Sequence, residues 1–268
     1  MTDTTAISLS IAAVVGAGSG ADASIWGMYK DAAHEGFRWR VFFRSIVLGC
    51  VAAVTIQACL NLDLHHPRLI LLLFGLAYAT ERVVVEIWKT FIRDEDQSKY
   101  TIPMQFSVRG LPVKNRALRY AACAGYVALI AVAVLVAAQF TANAQTLAAA
   151  GVAGFIAGIV IACGGAWKDA PIEGFEGLKF FRSPALTTLF ALALFMASGS
   201  VVLAAIAAIG YERATSENYK TFFFPSRPRG KFAGKPVTHP QMLRQRSHFV
   251  PAYVVIRLAL LSLVVGTQ

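Results

Sequence analysis

Hydrophobic residues in this chain are gathered into long stretches that are separated by short polar segments. Eight stretches approach the length that a helix needs to cross a bilayer, which is roughly 17 to 25 apolar residues. A backbone in lipid must form its hydrogen bonds within its own segment, so the pattern predicts transmembrane helices. The predicted spans are 6–28, 43–61, 68–91, 118–140, 145–167, 183–198, 200–222 and 249–266.

The sixth and eighth predicted spans are the shortest, and a fused or re-entrant sixth segment would leave seven spans. No cleavable signal peptide is expected, because the first residues lack a basic segment and the apolar run that follows is too long. The first span is therefore predicted to be an anchor.

The chain contains an internal repeat. Across the nineteen positions of residues 27–45, eleven residues recur 138 positions later, in residues 165–183. A second match, offset by 131 positions, relates residues 81–91 to residues 212–222 and places Tyr219 where the first copy has Trp88. We predict two four-helix repeats that occupy residues 1–140 and 141–268.

The composition supports a membrane protein, since 56% of the residues are hydrophobic, only 15% are charged and the mean hydropathy is +0.57. Of the 25 Lys and Arg residues, 21 lie in the loops after the first, third, fifth and seventh spans, whereas the opposite loops contain Arg68 alone. The positive-inside rule then predicts an inner-membrane protein with these basic loops in the cytoplasm and both termini outside.

These observations together predict an all-α integral membrane protein of about eight transmembrane helices. Because each repeat has an even number of spans, the two repeats should be parallel and related by a pseudo-two-fold axis along the membrane normal. The net charge of +10 is then concentrated on one face, where it would attract anionic lipids. We expect anionic membrane lipids and partner subunits to bind, and no nucleic acid, since no basic recognition motif is present.

Small residues indicate where helices approach closely. The first span contains a glycine-rich run at residues 16–20, and the fifth contains Gly151, Gly154 and Gly158. Such surfaces let helix backbones come into contact within a membrane. We predict that spans one and five pair at the pseudo-two-fold axis.

Both copies of the repeat retain their charged residues, and these form the predicted site. A charged side chain at the bilayer centre costs roughly 2.5–3.5 kcal/mol on insertion scales, so these groups should face the bundle or a wet cavity. The helical spacing allows Arg82 and Lys89 each to pair with Glu86, and Glu217 has equivalent neighbours. The predicted substrate-binding residues are Lys30, Asp31, Glu35, Arg44, Glu81, Arg82, Glu86, Lys89, Lys168, Asp169, Glu173, Arg182, Glu212, Arg213, Glu217 and Lys220.

Four functions fit these residues. In the first repeat they carry four positive and four negative charges, so they could clamp helix ends as salt bridges. Carboxylates beside Lys and Arg also suit a Mg²⁺-dependent enzyme acting on a phosphorylated lipid, in which case Mg²⁺ would be the cofactor. An accessory subunit would have the same sequence. We favour binding and transport of an anionic, phosphorylated lipid-type substrate, because transporters use both repeats around one pathway.

Two further features lie outside the repeat. Asp22 and Arg257 are lone charges in the first and eighth spans, and Arg257 is expected to mark asymmetry, to pair locally or to extend to the interface. The segments 92–117 and 223–247 are rich in proline, which excludes a continuous helix. We predict extended loops that serve as lids or as docking surfaces.

Overall fold

The computed structural model describes the backbone of residues 2–223 and 230–265, and the side chains in these ranges except at 2–4, 168, 169, 171–173 and 230. The chain is 80% helical. Its α-helices are α1 (Thr2–Glu35), α2 (Trp39–Leu60), α3 (Pro67–Ile87), α4 (Arg116–Thr141), α5 (Leu147–Glu173), α6 (Gly177–Ser198), α7 (Val201–Phe222), α8 (Met242–Gln245) and α9 (Val250–Val265).

In the described residues, six helical segments are long and apolar enough to cross a membrane, which indicates an integral membrane protein. They correspond to the predicted first, second, fourth, fifth, sixth and eighth spans and are Thr5–Glu35, Trp39–Leu60, Arg116–Thr141, Leu147–Trp167, Gly177–Ser198 and Met242–Val265. The sixth is longer than predicted, because the helix begins at Gly177. The eighth is lengthened by α8 and a 3-10 turn that precede α9.

The predicted third and seventh spans also form helices, α3 and α7, which lie in the interior of the bundle. Their buried residues include Leu72 and Leu76 on α3 and Ala204, Ala207 and Ala208 on α7, and these five contact one another in one core cluster. Both helices carry ionisable residues near their C-terminal ends. The neighbouring helices therefore cover two helices that carry charged residues.

The repeated Glu-Gly-Phe sequence ends a helix in each half. Gly36 follows α1 with φ +72°, and Gly174 follows α5 with φ +77°. This left-handed backbone favours glycine, which carries no Cβ, and it commonly terminates helices. The Lys-Asp motifs consequently lie on the last turns of α1 and α5 and not in the connecting loops.

The glycines of the first and fifth spans contact different neighbours from those we predicted. A Cβ at Gly16 would lie 2.2 Å from the Gly49 carbonyl oxygen of α2, and one at Gly154 would lie 2.7 Å from the Thr187 carbonyl oxygen of α6. Each glycine surface therefore packs against the next helix of its own half. The predicted pairing of spans one and five was wrong, because these surfaces are used within each half.

The closest contact between the halves is made by α3 and α7 instead. A Cβ at Gly210 would lie 2.2 Å from the Gly75 carbonyl oxygen, so only glycine allows this approach. Tyr211 donates a hydrogen bond to the Leu71 carbonyl oxygen at 2.8 Å. Contacts progress in the same order along both helices, from Gly75 with Ala207 to Ala79 with Gly210, so α3 and α7 run parallel.

The last long helix of each half packs on the other half. Helix α4 contacts α7, and α9 contacts α1 and α3. The segment between α3 and α4 contains a π-helical turn (Trp88–Ile92), a 3-10 turn (Gln97–Lys99) and a two-stranded hairpin, β1 (Ser107–Val108) with β2 (Leu111–Pro112). The described part of the segment between α7 and α9 contains a 3-10 turn (Gly230–Phe232), α8 and a second 3-10 turn (Arg246–Phe249).

Candidate functional site

A cavity of about 730 Å³ lies between the two halves, at the end of the bundle where α1, α3 and α7 finish, which we call the charged end. Among the described side chains, eight basic and five acidic ones line it, so the formal charge of this described lining is positive. Its volume lies within the range typical of small-molecule sites. The charged residues lining this cavity are Lys30, Asp31, Arg82, Glu86, Lys89, Glu176, Lys179, Arg182, Glu212, Arg213, Glu217, Lys220 and Lys231.

Three of the cations that line the cavity lie close to the Glu217 carboxylate. Its side chain is 3% exposed, and the Lys30 Nζ atom of α1 lies 3.2 Å from it. Arg213 and Lys220, on its own helix, approach it at 3.4 Å and 3.9 Å, as the helical spacing predicted. One buried carboxylate therefore lies among three cations that come from both halves of the chain.

The equivalent residues of α3 are paired differently. Arg82 donates hydrogen bonds to both carboxylate oxygens of the adjacent Glu81, including one from Nη2 to Oε1 at 2.7 Å, and does not take Glu86 as its hydrogen-bond partner. Lys89 lies 3.7 Å from Glu86, as predicted. Glu81 is therefore neutralised by a bidentate pair, the stronger form of charge-assisted hydrogen bonding.

Lys231 is a site residue that the sequence reasoning did not identify. Its Nζ atom lies 2.9 Å from Asp31 and 2.7 Å from Glu35, the two carboxylates on the last turns of α1. Burial acts to lower the pKa of Lys231, but the two carboxylates outweigh it and hold this pKa above its usual value. The two long loops share a lysine followed by an aromatic residue, Lys99-Tyr100 and Lys231-Phe232. This recurrence was the sequence signal for Lys231.

The segment that carries Lys231 covers the end of α1. The Phe232 ring stacks on the His34 ring with centroids 4.5 Å apart, and the Thr238 hydroxyl donates to the His34 carbonyl oxygen at 2.6 Å. Thr101 donates its backbone N–H to the Lys231 carbonyl oxygen at 3.0 Å, which joins the two long loops. This part of the loops is an ordered cover over the first half of the site.

A smaller crevice lies within each half. One of about 150 Å³ is lined by Arg44, and one of about 70 Å³ is lined by Arg182, its repeat counterpart. The Arg44 guanidinium lies 5.2 Å from the Trp88 ring, and that of Arg182 lies 5.9 Å from the Tyr219 ring. Both halves therefore place an arginine against the aromatic residue at the matched repeat position.

The predicted site residues are thus divided among several partners. The first half does not form a self-contained clamp, because Lys30 pairs with Glu217 of the second half and Asp31 and Glu35 pair with Lys231. Lys168, Asp169 and Glu173 lie outside the described side chains.

Asp22 and Arg257, predicted as lone charges, form an ion pair with each other. The Arg257 Nη2 atom donates to Asp22 at 2.9 Å, and Asp22 is fully buried. The nearby Trp26 Nε1 atom donates to the Tyr78 hydroxyl at 2.7 Å. The ion pair of Asp22 with Arg257 joins α1 to α9, and it neutralises two charges that would be costly in lipid.

The carboxylates present do not form a metal site in the part of the chain that the structure describes. No group of three or more His, Cys, Asp or Glu residues there has an arrangement that could hold a metal ion. Several of the carboxylates are instead engaged by Lys and Arg. The geometry gives no specific support to Mg²⁺-dependent chemistry.

Comparison with protein-family models, with curated proteins and with solved structures gave no match to this chain. Its function is accordingly inferred from the cavity and its charges.

Proposed function

We propose that this protein binds an anionic, phosphorylated lipid-type substrate in the central cavity and transports it across the inner membrane. The observation that carries the proposal is the sharing of the buried Glu217 carboxylate by Lys30, Arg213 and Lys220. Among the described side chains that line the cavity, eight cations outnumber five carboxylates, so the cavity would attract a phosphate group. Hydrogen bonds between such charged groups are about twice as strong as neutral ones.

The lipid character of the substrate is supported by the apolar part of the cavity wall. Tyr126 of α4, Ile161 of α5 and Leu178 of α6 line the same cavity as the cations, and Leu178 is 87% exposed. A phosphorylated headgroup would contact the cations while acyl chains contact these residues. The substrate would then be amphiphilic, as membrane lipids are.

In this proposal α3 and α7 also cross the bilayer, which brings the number of spans to eight. Each has the length required, since 21 or 22 residues extend over about 30 Å. The two repeats, residues 1–140 and 141–268, are parallel and pseudo-symmetric, which the parallel course of α3 and α7 supports. The charged end faces the cytoplasm and both termini lie outside, in accordance with the basic loops.

Transport is preferred to simple binding because the cavity is built from both halves. Arg82 and Lys89 of the first half and Arg213 and Lys220 of the second line one space. These residues occupy matched repeat positions, 131 positions apart. Internal repeats around a shared site are the usual architecture of secondary transporters.

Binding to a short-chain phosphatidylglycerol, with short-chain phosphatidylcholine for comparison, tests the proposal on the purified full-length protein. We expect native mass spectrometry to show retention of the anionic lipid and little of the zwitterionic one. Arg213→Gln should weaken phosphatidylglycerol binding about 10- to 100-fold, since one charge-assisted hydrogen bond contributes roughly 1.5–3 kcal/mol. Lys114→Gln, at an exposed loop position that does not line the cavity, is the matched control. Equal binding of both lipids, or equal effects of both substitutions, would contradict the proposal.

A further inference from the structure

Glu212 and Glu81 occupy matched positions in the repeat but have different partners. Both side chains are almost fully buried, at 1% exposure. The Glu81 carboxylate is held by two hydrogen bonds from Arg82. The matched arginine of the second half, Arg213, contacts Glu217 instead. The second repeat therefore retains the buried carboxyl group, but the arginine that follows it, Arg213, contacts Glu217.

Two hydroxyl groups contact the Glu212 carboxylate. Ser183 of α6 and Ser216 of α7 each donate a hydrogen bond to its Oε1 atom at 2.7 Å. Its Oε2 atom is buried and has no hydrogen-bond partner among the described residues. Because a buried charged oxygen without a partner is unfavourable, this atom is suited to carry a proton. Glu212 lines both the central cavity and the crevice of the second half, so water can deliver that proton.

The charges facing Glu212 explain how proton binding would be linked to anion binding. The described charged groups of its crevice are Glu176, Lys179 and Arg182 from the α6 side, and Arg213 and Lys220 from α7. The other described charged groups of the adjoining cavity are Lys30 and Asp31 of α1, Arg82 and Glu86 of α3, Glu217 of α7, and Lys89 and Lys231. The described residues of α5 that line this crevice are uncharged.

While the cavity is empty, the Glu212 carboxylate faces a lining in which the described cations outnumber the carboxylates. A phosphate group bound to the same cations compensates their charge and adds a negative charge beside Glu212. Both effects favour the protonated carboxyl group. Since linkage is reciprocal, protonation of Glu212 should in turn strengthen anion binding.

We propose that Glu212 is a proton-binding site that couples proton uptake to anion binding in the central cavity. This inference rests on the proposed function, because the bound anion supplies the coupling. The proton from water is taken up on Oε2, the carboxylate becomes a neutral carboxylic acid, and the proton is released when the anion leaves. The anion and the proton would then move together, which reduces the net charge carried by each transport cycle.

Calorimetric titration of the full-length protein with short-chain phosphatidylglycerol tests the coupling. This lipid is a phosphodiester with one negative charge throughout the neutral range, so it does not itself exchange protons. Titrations in two buffers with different ionisation enthalpies give the number of protons taken up per lipid bound. We expect uptake approaching one proton in the wild type, and an affinity that falls by up to about tenfold for each unit of rising pH.

Glu212→Gln should bind phosphatidylglycerol without proton uptake and with an affinity independent of pH. Asp63→Asn, at an exposed carboxylate that does not line the cavity, is the control and should retain proton uptake. Proton uptake that persists in Glu212→Gln would overturn the proposal. An affinity that depends on sodium instead of pH would overturn it as well.

Infrared difference spectroscopy of the lipid-free protein separates this inference from the proposed function. Lowering the pH should produce the carbonyl band of a protonated carboxyl group that is missing in Glu212→Gln and present in Asp63→Asn. If phosphatidylglycerol does not bind but this band is observed, the proposed function fails and the proton site stands. If Glu212→Gln does not fold, Ser183→Ala should shift the pH at which the band appears, because the carboxylate loses a donor. A band that is unchanged in Ser183→Ala would then refute the assignment.

Discussion

The Lys30 Nζ atom lies 3.2 Å from the Glu217 Oε2 atom and joins α1 of the first half to α7 of the second. The two residues are 187 positions apart in the chain. The contact makes the cavity a shared feature of both halves, because neither half contains both partners. Substitution of Glu217 therefore tests whether the charged cavity binds substrate or only stabilises the fold.

We predict that Glu217→Gln lowers stability and raises the affinity for anionic lipid. The substitution leaves Lys30, Arg213 and Lys220 without their carboxylate, and removing one partner of a buried ion pair costs roughly 3–5 kcal/mol. Loss of the Glu217 negative charge makes the cavity more positive, so affinity for short-chain phosphatidylglycerol should rise about tenfold. Thermal unfolding and lipid titration measure the two effects. A loss of stability with unchanged affinity would indicate a clamp that does not bind substrate.

We predict that Lys89→Gln and Lys220→Gln each impair transport. These residues occupy matched repeat positions, line the same cavity and lie 3.7 Å and 3.9 Å from their neighbouring carboxylates. Each should reduce movement of a fluorescent short-chain phosphatidylglycerol in proteoliposomes about tenfold, as expected for a loss of about 1.4 kcal/mol. Lys114→Gln should have no effect. An enzyme with one competent site would lose activity with one of the two substitutions and tolerate the other.

We predict that Gly210→Ala destabilises the contact between the halves. The added Cβ would lie 2.2 Å from the Gly75 carbonyl oxygen, and relieving that overlap requires the two helices to separate. Overpacking of this kind typically costs 1–3 kcal/mol. Size-exclusion chromatography and thermal unfolding should show a less stable protein. Gly125→Ala is the control, because a Cβ at Gly125 meets nothing within 4 Å.

Substitutions at Gly154 test the helix pairing that the structure shows. We predict that Gly154→Leu disrupts folding, since even a Cβ there would lie 2.6 Å from the Ala191 Cβ atom of α6. Crosslinking between cysteines placed on α5 and α6 should be lost in this variant. Normal assembly and crosslinking of Gly154→Leu would contradict the arrangement.

The loop that follows α3 should respond to acid through Asp94. This carboxylate accepts hydrogen bonds from Arg119 at 2.5 Å and from Arg116 at 2.7 Å. The Arg119 hydrogen bond, assisted by Arg116, lowers the pKa of Asp94 below its usual value. A lowered pKa in the folded protein means that the stabilisation is present above the ordinary carboxyl pKa of about 3.9 and is lost as the pH falls through the lowered value.

We therefore predict that Asp94→Asn lowers the melting temperature at pH 7 and that the difference from wild type disappears in strong acid. Hydrogen exchange of the 93–119 segment should be faster in the variant at neutral pH. Lys114→Gln, at an exposed position of the same segment, is the control. A difference between Asp94→Asn and wild type that is the same at every pH would contradict this explanation.

The sequence by itself determined the helical membrane class, six of the membrane-crossing segments and the repeat. Hydrophobic length alone decides whether a segment can cross a bilayer, so even the short sixth and eighth predictions correspond to apolar helices. Several residues at matched positions of the repeat also have equivalent structural roles. Gly36 and Gly174 both end helices, and Arg44 and Arg182 both lie against the matched aromatic rings.

Only the tertiary structure decided which helices meet and which charges pair. A glycine surface allows close approach to any helix, so the sequence could not show that α1 packs on α2 while Gly75 and Gly210 bring α3 to α7. Opposite charges attract without regard to their separation along the chain. The pairs of Lys30 with Glu217, Asp22 with Arg257 and Lys231 with Asp31 therefore depend on the packing that brings them within reach.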